Sequence, residues 1–261
     1  MPGYSFTEQL DIPLLLVMLF FLFFLGLVYH LRQEDKREGY PLESDRTDRS
    51  GGRVPVVGFP PLPSPKVFRL MHGGQTVVPR PHRDRELNAF PAYEFPGAPL
   101  MPAGDPLLDG IGPASYALKA DTPDLTVDGS LKLVPMRNHP HYYIEETDPN
   151  PIGMTVVSRD GLVVGTVADI WINSHEYFVR YLEVETNVEA GARRVMAPVA
   201  FANIKSGRRE VHFSSLTRPQ FSRIPALASD DKITMREEDR INGYFAGGAF
   251  YDGSPIQDAL S

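Results

Sequence analysis

A single N-terminal membrane-spanning α-helix followed by a mainly β cytoplasmic domain, a small antiparallel barrel with a C-terminal helix, is the fold class this sequence predicts. Three observations carry that prediction. Residues 12–31 read IPLLLVMLFFLFFLGLVYHL, twenty residues without a formal charge. Residues 41–106 hold 13 of the chain's 25 prolines. Short alternating segments, separated by turn residues, crowd residues 150–215.

The apolar run comes first. At 1.5 Å per residue it makes about 30 Å of helix, the thickness of a bilayer's hydrocarbon core. Pro13 falls in the first turn, where its missing N–H is not needed. A cleaved signal peptide would carry basic residues in front, a shorter apolar core and small residues at the cut. Here Glu8 and Asp11 precede the run, and HLRQEDKREGY follows its apolar core. A core helix of a soluble protein is rarely apolar on every face. No Lys or Arg precedes the run, whereas Arg32, Lys36 and Arg37 follow it closely. The positive-inside rule therefore leaves residues 1–11 outside and the rest of the chain in the cytoplasm. That topology signal accounts for Arg32, Lys36 and Arg37; a sharper reading has them hold anionic lipid head groups.

Residues 32–106 form the second region. Stretches such as FPPLPSPK and FPGAPLMPAGDP cannot supply helix or central-strand ladders. A free linker would be more polar than a segment carrying Val54, Val57, Phe59, Leu62, Phe68, Phe90 and Tyr93. The expectation is an extended, mostly ordered strip laid over another surface. It should contain one short hairpin, residues 66–70 and 75–78 around His72-Gly73-Gly74.

Residues 107–261 make the globular domain. Residues 154–158, the turn Arg159-Asp160-Gly161 and residues 162–172 spell a hairpin. In residues 181–185, Leu182 and Val184 alternate with Glu183 and Glu185, which predicts a strand with the two apolar residues on one face and the two carboxylates on the other. Residues 194–197, 200–204 and 210–213 continue the series, giving a barrel core over about 150–215. A capping box, Thr234-Met235-Arg236-Glu237, opens a helix over about 234–246, with Ile233, Ile241 and Tyr244 on its inner face and Gly247-Gly248 at its end.

The chemistry is first a matter of exclusion. Without cysteine the chain has no disulfide, thiolate metal site or cysteine nucleophile. A net charge of −7 argues against a nucleic-acid binder, which needs a basic face. G-x-S-x-G, Walker, H-E-x-x-H and dinucleotide fingerprints are missing, and Gly110-Ile111-Gly112 reads as a turn. His139-Pro140-His141 with Glu145 and Glu146 has metal-ligand residue types, but the spacing fits loop histidines better than a zinc site. His175-Glu176, with Arg180 four residues on, suits either a proton relay or a solvated turn. In Arg236-Glu237-Glu238-Asp239-Arg240, a carboxylate facing inward would have a raised pKa and a capacity for proton exchange; one facing outward would only solvate the helix.

Taken together, several stretches resemble one family, the H subunit of the purple-bacterial photosynthetic reaction centre. They begin with REGYPLE at 37–43 directly after the lone apolar helix, PKVF at 65–68 and HGG at 72–74. They continue with GDP at 104–106, DGIGPASY at 109–116, NPIG at 150–153, DIW at 169–171 and RYLEVE at 180–185. They close with EED at 237–239, GY at 243–244 and AGG at 246–248.

The resemblance implies a transmembrane helix, an extended membrane-surface segment and a cytoplasmic domain on a PRC-type β-barrel. It implies an accessory subunit, not an enzyme. Such a subunit caps the cytoplasmic face of the L and M subunits of the bacterial inner, intracytoplasmic membrane. It shields the secondary quinone site and carries part of the proton path to it. The family binds no cofactor of its own; bacteriochlorophyll, bacteriopheophytin, quinones, non-haem iron and carotenoid belong to its partner subunits. Membrane lipids and light-harvesting antenna polypeptides are further partners, and nucleic acid is not.

Residue by residue, the resemblance carries proton transfer onto Glu176 and Arg180, onto Glu238, and onto Asp124 and Lys132 in DTPDLTVDGSLKLVP. Two departures stand out. Where some members place surface histidines, this chain reads Asp128-Gly129-Ser130, so the way in relies on Asp128 or on histidines such as His175, His139 or His141. Asn173 stands where an acid can occur two residues after D-I-W. The rival readings are an anchored enzyme with an unrecognised site and a PRC-barrel assembly or RNA-associated factor. Residues 32–261 hold 26 basic against 31 acidic residues, a net −5, which counts against RNA.

Overall fold

The structure is a computed structural model that describes residues 11–47, 53–79, 85–95, 98–187 and 192–251. Residues 1–10, most of the expected outer N-terminus, lie outside the described residues. The chain divides into two compact units, Met1–Arg83 with Phe95–Gly97 and Asp84–Glu94 with Ala98–Ser261.

The first unit begins with α1 (Ile12–Glu34), capped by Asp11, whose Oδ1 accepts from the Leu14 amide at 3.1 Å. None of its residues is buried, and it is long and apolar enough to cross a membrane. The 3₁₀ turn Asp35–Arg37 follows. β1 (Leu42–Thr47) pairs antiparallel with β2 (Arg53–Val56), and β3 (Lys66–Arg69) with β4 (Gln75–Val78). The second pair is the expected hairpin. Gly73 and Gly74 turn it at φ +84° and +87°, a conformation that side chains with a Cβ resist. The basic residues at the helix end do local work. Lys36 is buried, its ammonium donating to the carbonyls of Val57 at 2.6 Å and Pro60 at 2.5 Å. Arg37 grips Glu34 at 2.7 Å and donates to the carbonyls of Ser64 and Val78. Arg32 remains two-thirds exposed.

The second unit opens with a third local pair, β5 (Ala89–Pro91) against β6 (Leu100–Pro102), and the short helix α2 (Pro106–Asp109). Among the described residues of 32–106 there are therefore three two-stranded sheets where one hairpin was expected. The reason lies in what each pair demands: a two-stranded sheet consists only of edges, so a Pro such as Pro91 or Pro102 fits without interrupting a central ladder.

The remaining strands are β7 (Leu133–Pro135), β8 (Thr155–Val157), β9 (Val163–Asn173), β10 (Phe178–Thr186), β11 (Arg193–Pro198), β12 (Ala202–Lys205) and β13 (Glu210–Phe213). They form one curled seven-stranded sheet in the order β11-β10-β9-β8-β13-β12, with β7 paired to β9. This is the expected mainly β domain, with one pairing that differs: β8 and β13 run parallel. They are joined by the long excursion through β9 to β12, which permits a parallel return. The short helix α3 (Arg218–Phe221) and the longer α4 (Met235–Gly247) complete the unit.

Trp171, Tyr181, Leu182, Phe213, Phe221 and Phe245 lie fully buried at its centre. Ile241 and Tyr244 form the expected buried face of α4, while Ile233, also buried, stands before the Thr234 cap and outside the helix. Gly243 lets the helix approach residues 114 and 115: a Cβ at 243 would lie 2.7 Å from the Ala114 carbonyl oxygen. The two carboxylates of β10 differ in exposure. Glu185 faces solvent, but the Glu183 side chain is 4% exposed. Residues distant in sequence cover that face: Arg137 donates to Glu183 at 2.5 Å and to Asp169 at 3.0 Å, Trp171 Nε1 donates to Glu183 at 2.8 Å, and Arg194 reaches it at 3.2 Å.

Candidate functional site

An open cleft of about 510 Å³ lies in the second unit, where the end of β9, the start of β10, α4 and residues 119–133 meet. Local pairing builds it. Leu133 of β7 sits opposite Asn173 of β9, and the Ser174 amide donates to the Lys132 carbonyl at 2.8 Å. Those contacts bring the 124–132 segment against the turn that carries Glu176. Within the segment, the Lys132 amide donates to the Asp124 carbonyl at 3.0 Å, and their side chains pair at 3.1 Å. Asn173 organises the turn: its Oδ1 accepts from the amides of His175 and Glu176, and its Nδ2 donates to Glu176 Oε2 at 3.1 Å.

The third wall is α4. Met235, Glu238, Asp239 and Asn242 recur at helical spacing, so they form one stripe facing the cleft. Asp239 anchors the facing segment by accepting from the Ala117 amide at 2.7 Å and pairing with Lys119 at 2.7 Å. Glu238 points inward. Burial raises its pKa; the Tyr181 hydroxyl, donating at 3.0 Å, and the Arg180 charge pull it back, while Asp124 adds to the rise. Burial, and the Glu238 charge after it, likewise push the Tyr181 phenol upward.

Five of the residues singled out in the sequence, Asp124, Lys132, Glu176, Arg180 and Glu238, thus line one cleft. Two do not. Asp128 lies on an exposed turn, its pKa lowered by hydrogen bonds from the hydroxyls of Thr126 and Ser130. His175 is exposed beside Glu176 and is not part of the lining. His139 and His141 are 5.6 Å apart, ring to ring, and among the described residues no three His, Cys, Asp or Glu gather as a metal group. Sequence reasoning missed Lys119, Asn173, Asp239, Asn242 and Tyr181 as parts of the site. The polar stripe at 238, 239 and 242, opposite Ile241 and Tyr244, was the available signal for the residues on α4.

Lys119, Lys132 and Arg180 face Asp124, Glu176, Glu238 and Asp239 across this space. The lining holds no serine, threonine or histidine that a neighbouring base would activate. It holds carboxylates in unlike environments with lysine and arginine side chains among them, an arrangement suited to taking up and passing on protons.

An apolar helix long enough to cross a membrane precedes a curled-sheet domain, the make-up of a PRC-barrel protein, and residues 144–216 match the PRC-barrel domain. Residues 4–138 match the family described as photosynthetic reaction centre, H-chain N-terminal region. The chain belongs to the photosynthetic reaction centre H-chain family. That membership and the unburied apolar helix together support anchoring in a membrane.

Proposed function

We propose that this chain is the H subunit that caps the L and M subunits of a photosynthetic reaction centre, and that its acidic cleft carries protons toward the secondary quinone site. The observation that carries the reading is convergence. Three separate stretches, 124–132, 176–180 and 238, meet in one space although nothing in their sequence spacing requires it.

Two-electron reduction of a quinone consumes two protons. A purely apolar cover would block them, and an open channel would flood the site with water. A protein-lined cleft with carboxylates of unlike proton affinity avoids both. In this reading Asp124, paired with Lys132, and the exposed Glu176 receive protons at the mouth, and Glu238 holds them further in. Lys119, Lys132 and Arg180 keep the acids from repelling one another. Asp128, outside the cleft, stays ionised and adds negative charge that attracts protons to the surface. The chain supplies no catalytic group and no pigment ligand; the bacteriochlorophyll, bacteriopheophytin, carotenoid, iron and quinones belong to its partners.

The short N-terminus faces the periplasm and the β domain the cytoplasm of an intracytoplasmic membrane. Of the three basic residues that follow the apolar run, Arg32 keeps its side chain exposed for a lipid head group, whereas Lys36 and Arg37 are held by carbonyls of their own unit. Glu176→Gln and Glu238→Gln test the proton role in the assembled complex. Each should slow proton uptake after the second flash by about a hundredfold or more, the range of a positioned acid–base group. Unchanged kinetics in both would sink the reading.

A further inference from the structure

Glu238 must both hold a proton and release it, so its two carboxyl oxygens need different surroundings. The fold provides that difference through a pair of residues the sequence did not mark. Tyr181, on β10, is fully buried, and its hydroxyl donates to Glu238 Oε2 at 3.0 Å. Asn242 lies one turn beyond Glu238 on α4, and its Nδ2 donates to the same hydroxyl at 3.0 Å. A phenol has a single proton. With Asn242 donating into the phenol oxygen, that proton has one direction left, toward Glu238. Oε1 accepts no hydrogen bond from any described residue, and Glu238 lines the cleft.

We propose that Tyr181, aimed by Asn242, is a positioning residue for Glu238: its hydroxyl fixes Oε2 and reserves Oε1 for the proton that crosses the cleft. The inference rests on the reading of Glu238 as a proton carrier and deepens it. A proton reaching Oε1 leaves the Tyr181–Oε2 contact in place, so uptake and release need no rearrangement of the buried strand. The hydrogen bond also favours the ionised carboxylate and thereby works against burial, which alone would hold the proton too tightly for release. The charged groups facing Glu238 are Arg180 on β10, Asp239 on α4, Glu176 on the turn, and Lys119, Asp124 and Lys132 on the opposite segment. Replacing neutral Tyr181 or Asn242 changes none of them.

The test uses the pigmented complex assembled with the full chain. The carbonyl stretch of protonated Glu238, identified as the infrared band lost in Glu238→Gln, is followed as pH is raised. Tyr181→Phe should move its midpoint upward by about one pH unit, a roughly tenfold gain in proton affinity, since one favourable hydrogen bond to the anion is lost. Asn242→Ala, on a different element, should move it in the same direction by less, because the freed phenol oxygen can then accept from the acid. A midpoint unmoved in both variants overturns the proposal. Should Tyr181→Phe fail to assemble, Asn242→Ala decides alone. A Glu238 carbonyl band absent at every pH also overturns it, for the group then never holds the proton. Proton uptake unaffected by Glu238→Gln would instead defeat the carrier role, while a displaced midpoint would still show that Tyr181 governs the Glu238 carboxyl.

Discussion

At the scale of single residues, two carboxylates in the same domain meet opposite fates. Glu183 is almost wholly enclosed, yet Arg137, Arg194 and Trp171 satisfy it. Removing Arg137 leaves Glu183 and Asp169 enclosed without their principal cation, and Arg137→Ala should cost about 3–5 kcal/mol, read as a lowered thermal midpoint of the β domain within the intact chain. Glu238 is the other case, a carboxyl whose pKa burial raises above the ordinary glutamate value of 4.5. Folding therefore favours its protonated form. Its contribution to stability is fully present below that ordinary value and is lost as pH rises through the higher folded-state value. Glu238→Gln should remove this pH dependence, so the variant gains thermal midpoint over the wild type at neutral pH and not in acid. An equal difference at both pH values would contradict the assignment.

At the scale of elements, α4 does most to join fold and site. One face buries Ile241, Tyr244 and Phe245, and the other offers Glu238, Asp239 and Asn242 to the cleft. Its capping box was legible in the sequence and is realised, with Thr234 and Glu237 each accepting the other's backbone amide. Thr234→Ala should cost about 1 kcal/mol in thermal denaturation. The close approach at Gly243 was not legible, because it depends on the Ala114 carbonyl far away in the chain. Gly243→Ala should destabilise by about 1–3 kcal/mol in the same measurement, although alanine is the better helix former, since backbone has to yield. The strands show the same division. The hairpin at 66–78 and the D-G turn could be read because turn chemistry is local. The parallel β8–β13 pairing and the enclosure of Glu183 could not, because residues dozens of positions apart decide them. For the cleft, resemblance supplied five of the lining residues, while Asn173, Asn242 and Tyr181 escaped because amides and phenols carry no signal of function in a single sequence.

At the scale of the molecule, the described residues include an apolar helix, three small two-stranded sheets and a curled sheet with its covering helix. Within the first of its compact units Val67, Phe68, Leu70 and Met71 are exposed, and within the second Phe90 and Tyr93. Apolar surface on that scale is what partner subunits would cover in the assembly proposed here. The central claim, that this is the H subunit of a reaction centre, is tested most directly by purifying the tagged full-length chain from its native membranes. It should bring down L and M in equal stoichiometry, in a complex absorbing in the near infrared. Recovery of the chain without pigment-bearing partners would contradict the claim.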